Sequence, residues 1–296
     1  MKKNKAQIKT NLFILGTLLV VFVIYSFSLL RPWLPFDERL FFNEEVFPIP
    51  TKFDEIQEII NAFVSNYHIA SQNTFFSNIS TLRSNPLGAS LVVIVSFFFK
   101  KNAFLYHILQ LGIHLVNVFI VWLLFNETVK LLKVNLQSIE KNIIVSLFTL
   151  LWALHSASSE AVLLVTNWDT ILTYTFCFLF LLYEINNIQK GNFKISLSRT
   201  ITTASLFCIL MFLTEYGYSL PFIVFFITFA YSYKHFGIFT KSLSASFKQS
   251  FSYFLGLLFY AFFALSKNDS LFSALSSQLS APRYYLSRNL VVMHHV

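Results

Sequence analysis

Apolar residues fall along this chain in long, nearly uninterrupted runs: Asn11–Leu30, Leu87–Phe99, Ala103–Phe125, Asn142–His155, Ala161–Tyr183, Ile201–Leu213, Tyr218–Tyr231 and Phe251–Leu265. The runs do not alternate with polar residues, so they do not read as half-buried strands. Stretches of roughly 17–25 apolar residues match the hydrocarbon core of a bilayer. In lipid every backbone N–H and C=O needs a partner within the chain, which makes such runs helices. Asn289–Val296 reads as the start of one more run, and the chain stops inside it, as expected of a piece of a longer protein. The longest polar stretch, Arg31 to Leu87, separates the first two runs. Within it, Phe53-Asp54-Glu55-Ile56-Gln57-Glu58-Ile59-Ile60 has helical spacing and predicts a surface helix.

Composition removes the soluble alternative. Only 12% of residues are charged, against about 25% in a soluble domain. With 37 Phe in the chain, too little polar surface remains to cover a globule in water. The net charge of +8 would suggest nucleic acid on a soluble protein. Here the lysines sit in short loops between apolar runs, so membrane orientation explains them and no nucleic-acid partner is expected. Cys177 and Cys208 lie inside apolar runs without a CxxC pattern and read as small packing groups.

Charge then sets the topology. Lys2, Lys3, Lys5 and Lys9 precede the first run, whose core is long and is followed by no small-x-small cleavage site. This predicts an uncleaved first span with a cytoplasmic N-terminus. Leu87–Phe99, at 13 residues, is short for a span. If it crosses, Lys130, Lys133 and Lys141 lie outside. If it rests in the outer interface, thirteen basic residues fall inside (those seven with Lys190, Lys194, Arg199, Lys234, Lys241 and Lys248), against only Glu127, Glu140 and Glu184. The second arrangement puts the positive charge inside at every cytoplasmic loop and is the one expected. The fold class is therefore an all-α polytopic bundle. It forms a single transmembrane domain over 1–296, with a first span at 11–30, a large extracytoplasmic loop at 31–102 carrying surface and interfacial helices, and the remaining spans in 103–296. Seven spans are expected, with an eighth beginning.

In that topology several polar groups meet at outer helix ends. Asp37 and Glu38 follow the first span, His155 closes the third, Glu160 and Asp169 open the fourth, and Glu215 follows the fifth. Ionisable groups at membrane depth are costly and usually functional. Several carboxylates and a His at one level supply the raw material for a general base or a metal site; each is also a residue that simply caps a helix or meets water. His107 and His114 lie seven apart on one face of the second span, where interhelical hydrogen bonding accounts for them. No His/Cys spacing matches a zinc site.

Four segments carry a family resemblance. Pro35-Phe36-Asp37-Glu38-Arg39-Leu40-Phe41-Phe42-Asn43 resembles the acidic motif in the first outer loop of GT-C glycosyltransferases, including protein O-mannosyltransferases. Leu105-Tyr106-His107, with His114-Leu115-Val116-Asn117-Val118, resembles the "YHLVNVLLH" span of the transmembrane-and-tetratricopeptide O-mannosyltransferases and their bacterial relatives. Leu151-Trp152-Ala153-Leu154-His155 through Glu160-Ala161-Val162 resembles their "FALHPVHxEAV", and Leu213-Thr214-Glu215-Tyr216-Gly217 with Pro221 their "xKExGxxxP". The order and spacing agree across nearly the whole chain. The resemblance implies a GT-C-like bundle in a bacterial inner membrane, using a polyprenyl-phosphate-linked sugar and a hydroxyl acceptor on protein, glycan or lipid. It implies that Asp37 is the catalytic base, with Glu38 beside it. His155, Glu160, Asp169 and Glu215 would then contact substrate. Displacing a phosphate calls for a cation or metal at the leaving oxygen; Arg83, Lys100, Lys101, Arg283 and Arg288 are the outer-side candidates. No cofactor is required by the sequence, and a divalent metal is left open.

The sequence departs from the family at the positive positions. Ser156 stands for the Pro after the His, Asn167-Trp168-Asp169 for Arg-x-Asp, and Thr214 for the Lys before the Glu. Arg83-Ser84-Asn85-Pro86-Leu87 stands for Arg-Pro-Leu, and the tetratricopeptide tail is absent from these residues. Two readings therefore compete with transfer: a lipid or sugar transporter, and an assembly partner with a decayed site. A transporter would place coupling groups at mid-membrane between repeats, and no repeat is visible.

Overall fold

The computed structural model describes residues 2–30, 49–56, 86–164, 167–190 and 196–266. These residues form nine α-helices and no strand: α1 Lys2–Ser26, α2 Pro86–Phe99, α3 Ala103–Leu131, α4 Ser138–Ala153, α5 Ser156–Leu163, α6 Trp168–Gln189, α7 Leu197–Met211, α8 Leu220–Phe236 and α9 Phe239–Ser266. Two 3-10 segments, Phe27–Leu30 and Glu215–Ser219, extend α1 and lead into α8. Among the described residues three helical stretches are long and apolar enough to cross a membrane: Thr10–Leu30, Ala103–Leu131 and Trp168–Gln189. The pair α4 and α5, bent by 57°, makes a fourth if it counts as one span. Of the surface helix expected at 53–60, residues 53–56 are helical and the rest lies outside the described residues.

Local chemistry starts and stops these helices. The Asn102 side chain accepts from Leu105 N–H at the head of α3 (3.4 Å), and Ser196 Oγ accepts from Arg199 N–H at the head of α7 (3.2 Å). Glu140 reaches back to the Gln137 N–H (3.0 Å) in the first turn of α4. Gly237 closes α8 at φ +64°, a left-handed conformation that glycine adopts without strain, and the chain turns straight into α9.

Hydrogen bonds fix which helix ends lie together. Asn142 donates to Thr10 (3.2 Å), joining the starts of α4 and α1, while Tyr25 donates to the Ala153 carbonyl (2.9 Å), joining their ends. Gln189 donates to the Glu127 carbonyl (3.0 Å), and Lys234 to the Leu132 carbonyl (3.0 Å). The ends of α3, α6 and α8 therefore share one end of the bundle with the starts of α1, α4, α7 and α9. That end carries Lys130, Lys133, Lys141, Lys190, Arg199, Lys234, Lys241 and Lys248. The opposite end carries Asp54, Glu55, Glu160, Asp169 and Glu215, with Lys52, Lys100 and Lys101. Basic residues outnumber acids at the first end, where Glu127, Glu140 and Glu184 also lie, and acids outnumber bases at the second, which is the distribution the sequence reading expects.

Helix α2 has both of its ends at the acid-bearing end. Its Leu87 N–H donates to the Phe212 carbonyl at the close of α7 (3.2 Å), and its far end turns through Lys100–Asn102 into the start of α3. Val92 and Val93 pack with Tyr106, Trp168 and Ile56, all near that same end. The short apolar run thus does not traverse the bundle.

Packing inside is close where small residues allow it. A Cβ on Gly256 would stand 2.6 Å from the Ala204 carbonyl, so α9 and α7 touch backbone to backbone. Ser242, Ser246 and Ser250 follow on α9 at four-residue spacing, fully buried, each hydroxyl donating to the carbonyl four residues back.

Candidate functional site

The buried face of α3 holds the acid-bearing end together. His107, Gln110, His114 and Asn117 are all at most 2% exposed. Gln110 Nε2 donates to the Leu164 carbonyl (2.7 Å) and Asn117 Nδ2 to the Ile171 carbonyl (2.9 Å). Leu164 ends α5 in an extended conformation, which frees its carbonyl from the helix ladder. Asn167 N–H (3.0 Å) and Gln110 both donate to that carbonyl, so it is satisfied where the backbone leaves the helix away from water. His114 stacks on Trp152 (5.7 Å between centroids) and meets the edge of Tyr25 (5.1 Å). The Tyr25 hydroxyl also pairs with Ser159 Oγ at 2.6 Å.

This scaffold corrects one expectation. Glu160 and Asp169 do not open the same helix. Within the expected fourth span α5 ends at Leu163 and α6 begins at Trp168, leaving Glu160 on the short α5 and Asp169 in the first turn of α6. His155 is the N-cap of α5, with Nδ1 accepting from Ala157 N–H (3.2 Å), and its side chain is exposed. Glu160 is exposed as well and lies within electrostatic reach of Tyr174 on α6.

Asp169 is half-buried. Its Oδ1 accepts from Thr170 N–H at 2.7 Å in the first turn of α6. A Cβ added to Gly88 would stand 3.0 Å from Asp169 Cβ, 3.5 Å from its Oδ2 and 2.9 Å from the Leu213 carbonyl. Glycine at the head of α2 therefore lets three elements converge: α2, the start of α6, and the turn Leu213-Thr214-Glu215. Asp169 and the Leu213 carbonyl, two residues before Glu215, are brought together by this junction. His155 and Glu160 sit on the separate helix α5. Lys100 and Lys101 are exposed on the turn between α2 and α3. Asp37, Glu38, Arg83, Arg283 and Arg288 lie outside the described residues. Among the described residues no group of three or more His, Cys, Asp or Glu side chains is placed to hold a metal ion.

One cluster was missed by sequence reasoning. Glu184, which the charge count places with the cytoplasmic-side acids, lies within α6 and is 2% exposed. Arg199 Nη2 donates to both of its oxygens (3.1 and 2.8 Å), Tyr253 Oη to one (2.9 Å), and Gln249 Nε2 to the other. The signal was present: a lone acid directly after an apolar run, within reach of a helix longer than that run. Gln110, seven residues before the Asn117 of the quoted motif, carries no role in the sequence reading either.

Comparison with known protein families, with curated proteins and with solved structures returns no match to this chain.

Proposed function

We propose that this chain is a membrane glycosyltransferase of GT-C type that moves a sugar from a polyprenyl phosphate to a hydroxyl acceptor at its acid-bearing end. In this reading that end faces out of a bacterial inner membrane, the N-terminus is cytoplasmic, and α7, α8 and α9 also cross, giving the expected count of about seven spans. The junction of Gly88, Asp169 and Leu213 supports it most. It seats a helix that does not traverse the bundle against two polar helix ends, and so builds a surface where a lipid-borne substrate meets water.

The chemistry is a single displacement. The acceptor oxygen attacks the anomeric carbon as Asp37 takes its proton; the bond from that carbon to the phosphate oxygen breaks, and polyprenyl phosphate leaves with the electron pair. The anomeric centre inverts. Asp169 and Glu215 orient sugar hydroxyls beside it, His155 and Glu160 border the acceptor side, and Lys100 or Lys101 meets the leaving phosphate. Purified protein in vesicles, supplied with a labelled polyprenyl-phosphate sugar, should transfer label, and Asp37→Asn should abolish transfer while insertion and folding persist. Full activity of that variant removes the role given to Asp37.

One observation favours the transporter reading instead: the Glu184 and Arg199 pair is buried between helices near the lysine-rich end, and such pairs often mark an ion or substrate path. Carrier flipping by purified protein without sugar transfer would select it. Thr214 is 2% exposed where the family has Lys, which is the feature that favours an inactive assembly partner.

A further inference from the structure

A groove runs between α7 and α9 at the lysine-rich end of the bundle. Leu197 and Thr200 line one side; Phe247, Lys248 and Phe251 line the other. Leu197, Phe247 and Phe251 are 77%, 55% and 53% exposed. The Thr200 hydroxyl turns back onto the Ser196 carbonyl (3.2 Å), so its proton is already used and the floor has no hydroxyl donor left for a polar ligand. Where such a groove faces hydrocarbon, acyl chains are the surrounding solvent and fill it.

Charge decides which lipid it prefers. Arg199 adjoins Thr200 but is committed to Glu184, so its charge is neutralised within the bundle. Lys248 is exposed at the rim, and Lys241 lies two turns further along the same face of α9. A lysine set back from a helix end extends its ammonium to the headgroups while its stem covers apolar surface. We propose that this groove seats one acyl chain of an anionic glycerophospholipid of the cytoplasmic leaflet, with its phosphate held by Lys248. The proposal rests on the membrane reading and on the lysine-rich end facing the cytoplasm; it does not depend on sugar transfer.

The test uses the full chain in nanodiscs of phosphatidylcholine, doped with an acyl-diazirine analogue of either phosphatidylglycerol or phosphatidylcholine. Crosslinked peptides are read by mass spectrometry. Labelling of residues 247–251 by phosphatidylglycerol should exceed that by phosphatidylcholine about fivefold, the preference conferred by one lysine near a headgroup. Lys248→Gln should bring the ratio close to one, whereas Lys133→Gln should leave it unchanged. Phe251→Ala should reduce labelling by both lipids. Equal labelling by the two lipids in the unaltered protein, or a ratio indifferent to Lys248→Gln, overturns the proposal. So does displacement of the label by millimolar inorganic phosphate, which would identify a site for the free anion.

Discussion

Glu184 on α6 and Arg199 on α7 share two hydrogen bonds, at 3.1 and 2.8 Å, inside the helix bundle. Tyr253 and Gln249 of α9 complete the carboxylate's shell, so three helices are tied at one acid. Removing one member leaves the other charge buried and unpaired, which costs about 3–5 kcal/mol. Glu184→Gln and Arg199→Met should each lower the unfolding free energy, measured in mixed micelles, by that order. The double variant Glu184→Leu with Arg199→Met should lose less than either single change. Single variants as stable as the parent would mean that the pair is solvated.

The junction at Gly88 gives a prediction with an internal control. Its Cβ would meet the Leu213 carbonyl at 2.9 Å, and backbone cannot swing aside as a flexible side chain would. Gly88→Ala should destabilise the protein by about 1–3 kcal/mol, the usual cost of overpacking. Gly112, in the middle of α3, has nothing within 4 Å of a Cβ. Gly112→Ala should be neutral or stabilising by up to about 1 kcal/mol, because alanine loses less freedom in a helix. Equal effects of the two substitutions would refute the close approach of α2.

Outside the bundle, Glu55 titrates in a way that checks the segment at residues 49–56. Thr51 N–H donates to it at 2.6 Å and Lys52 N–H at 3.2 Å. The backbone bond from Thr51, then that from Lys52, then the Thr51 hydroxyl hold its pKa below the ordinary 4.5. A depressed folded value means that its contribution to local order is complete above pH 4.5 and is lost as pH falls through the lower folded pKa. Carboxyl NMR should place the midpoint below 4.5, and Thr51→Ala should raise it part of the way. A midpoint at or above the ordinary value contradicts these bonds.

Much of the helix layout was legible because apolar run length is a direct physical signal. Ala103–Phe125 lies within α3, and Ile201–Leu213 overlaps α7. The short Leu87–Phe99 stands out by its length and by the charge count together, and α2 does keep both ends at one end of the bundle. The break between α5 and α6 was not legible, because one of the two bonds to the Leu164 carbonyl comes from Gln110, more than fifty residues upstream. Glu184 was misread for the same reason. Its charge is balanced by Arg199 on α7 and it is hydrogen-bonded by Tyr253 on a third helix, so local sequence shows only an acid beside an apolar run. Asp37, which the resemblance makes central, lies outside the described residues.

The working face and the arrangement of α2 are tested together by cysteine labelling. With Cys177 and Cys208 replaced by Ser, single cysteines at Lys101 and at Lys133 are exposed in intact cells to a reagent that does not cross the membrane. Lys101 is on the turn after α2, and Lys133 is at the opposite end of α3. The account predicts labelling of Lys101→Cys from outside and labelling of Lys133→Cys only after the membrane is opened. External labelling at Lys133 with protection at Lys101 would contradict it.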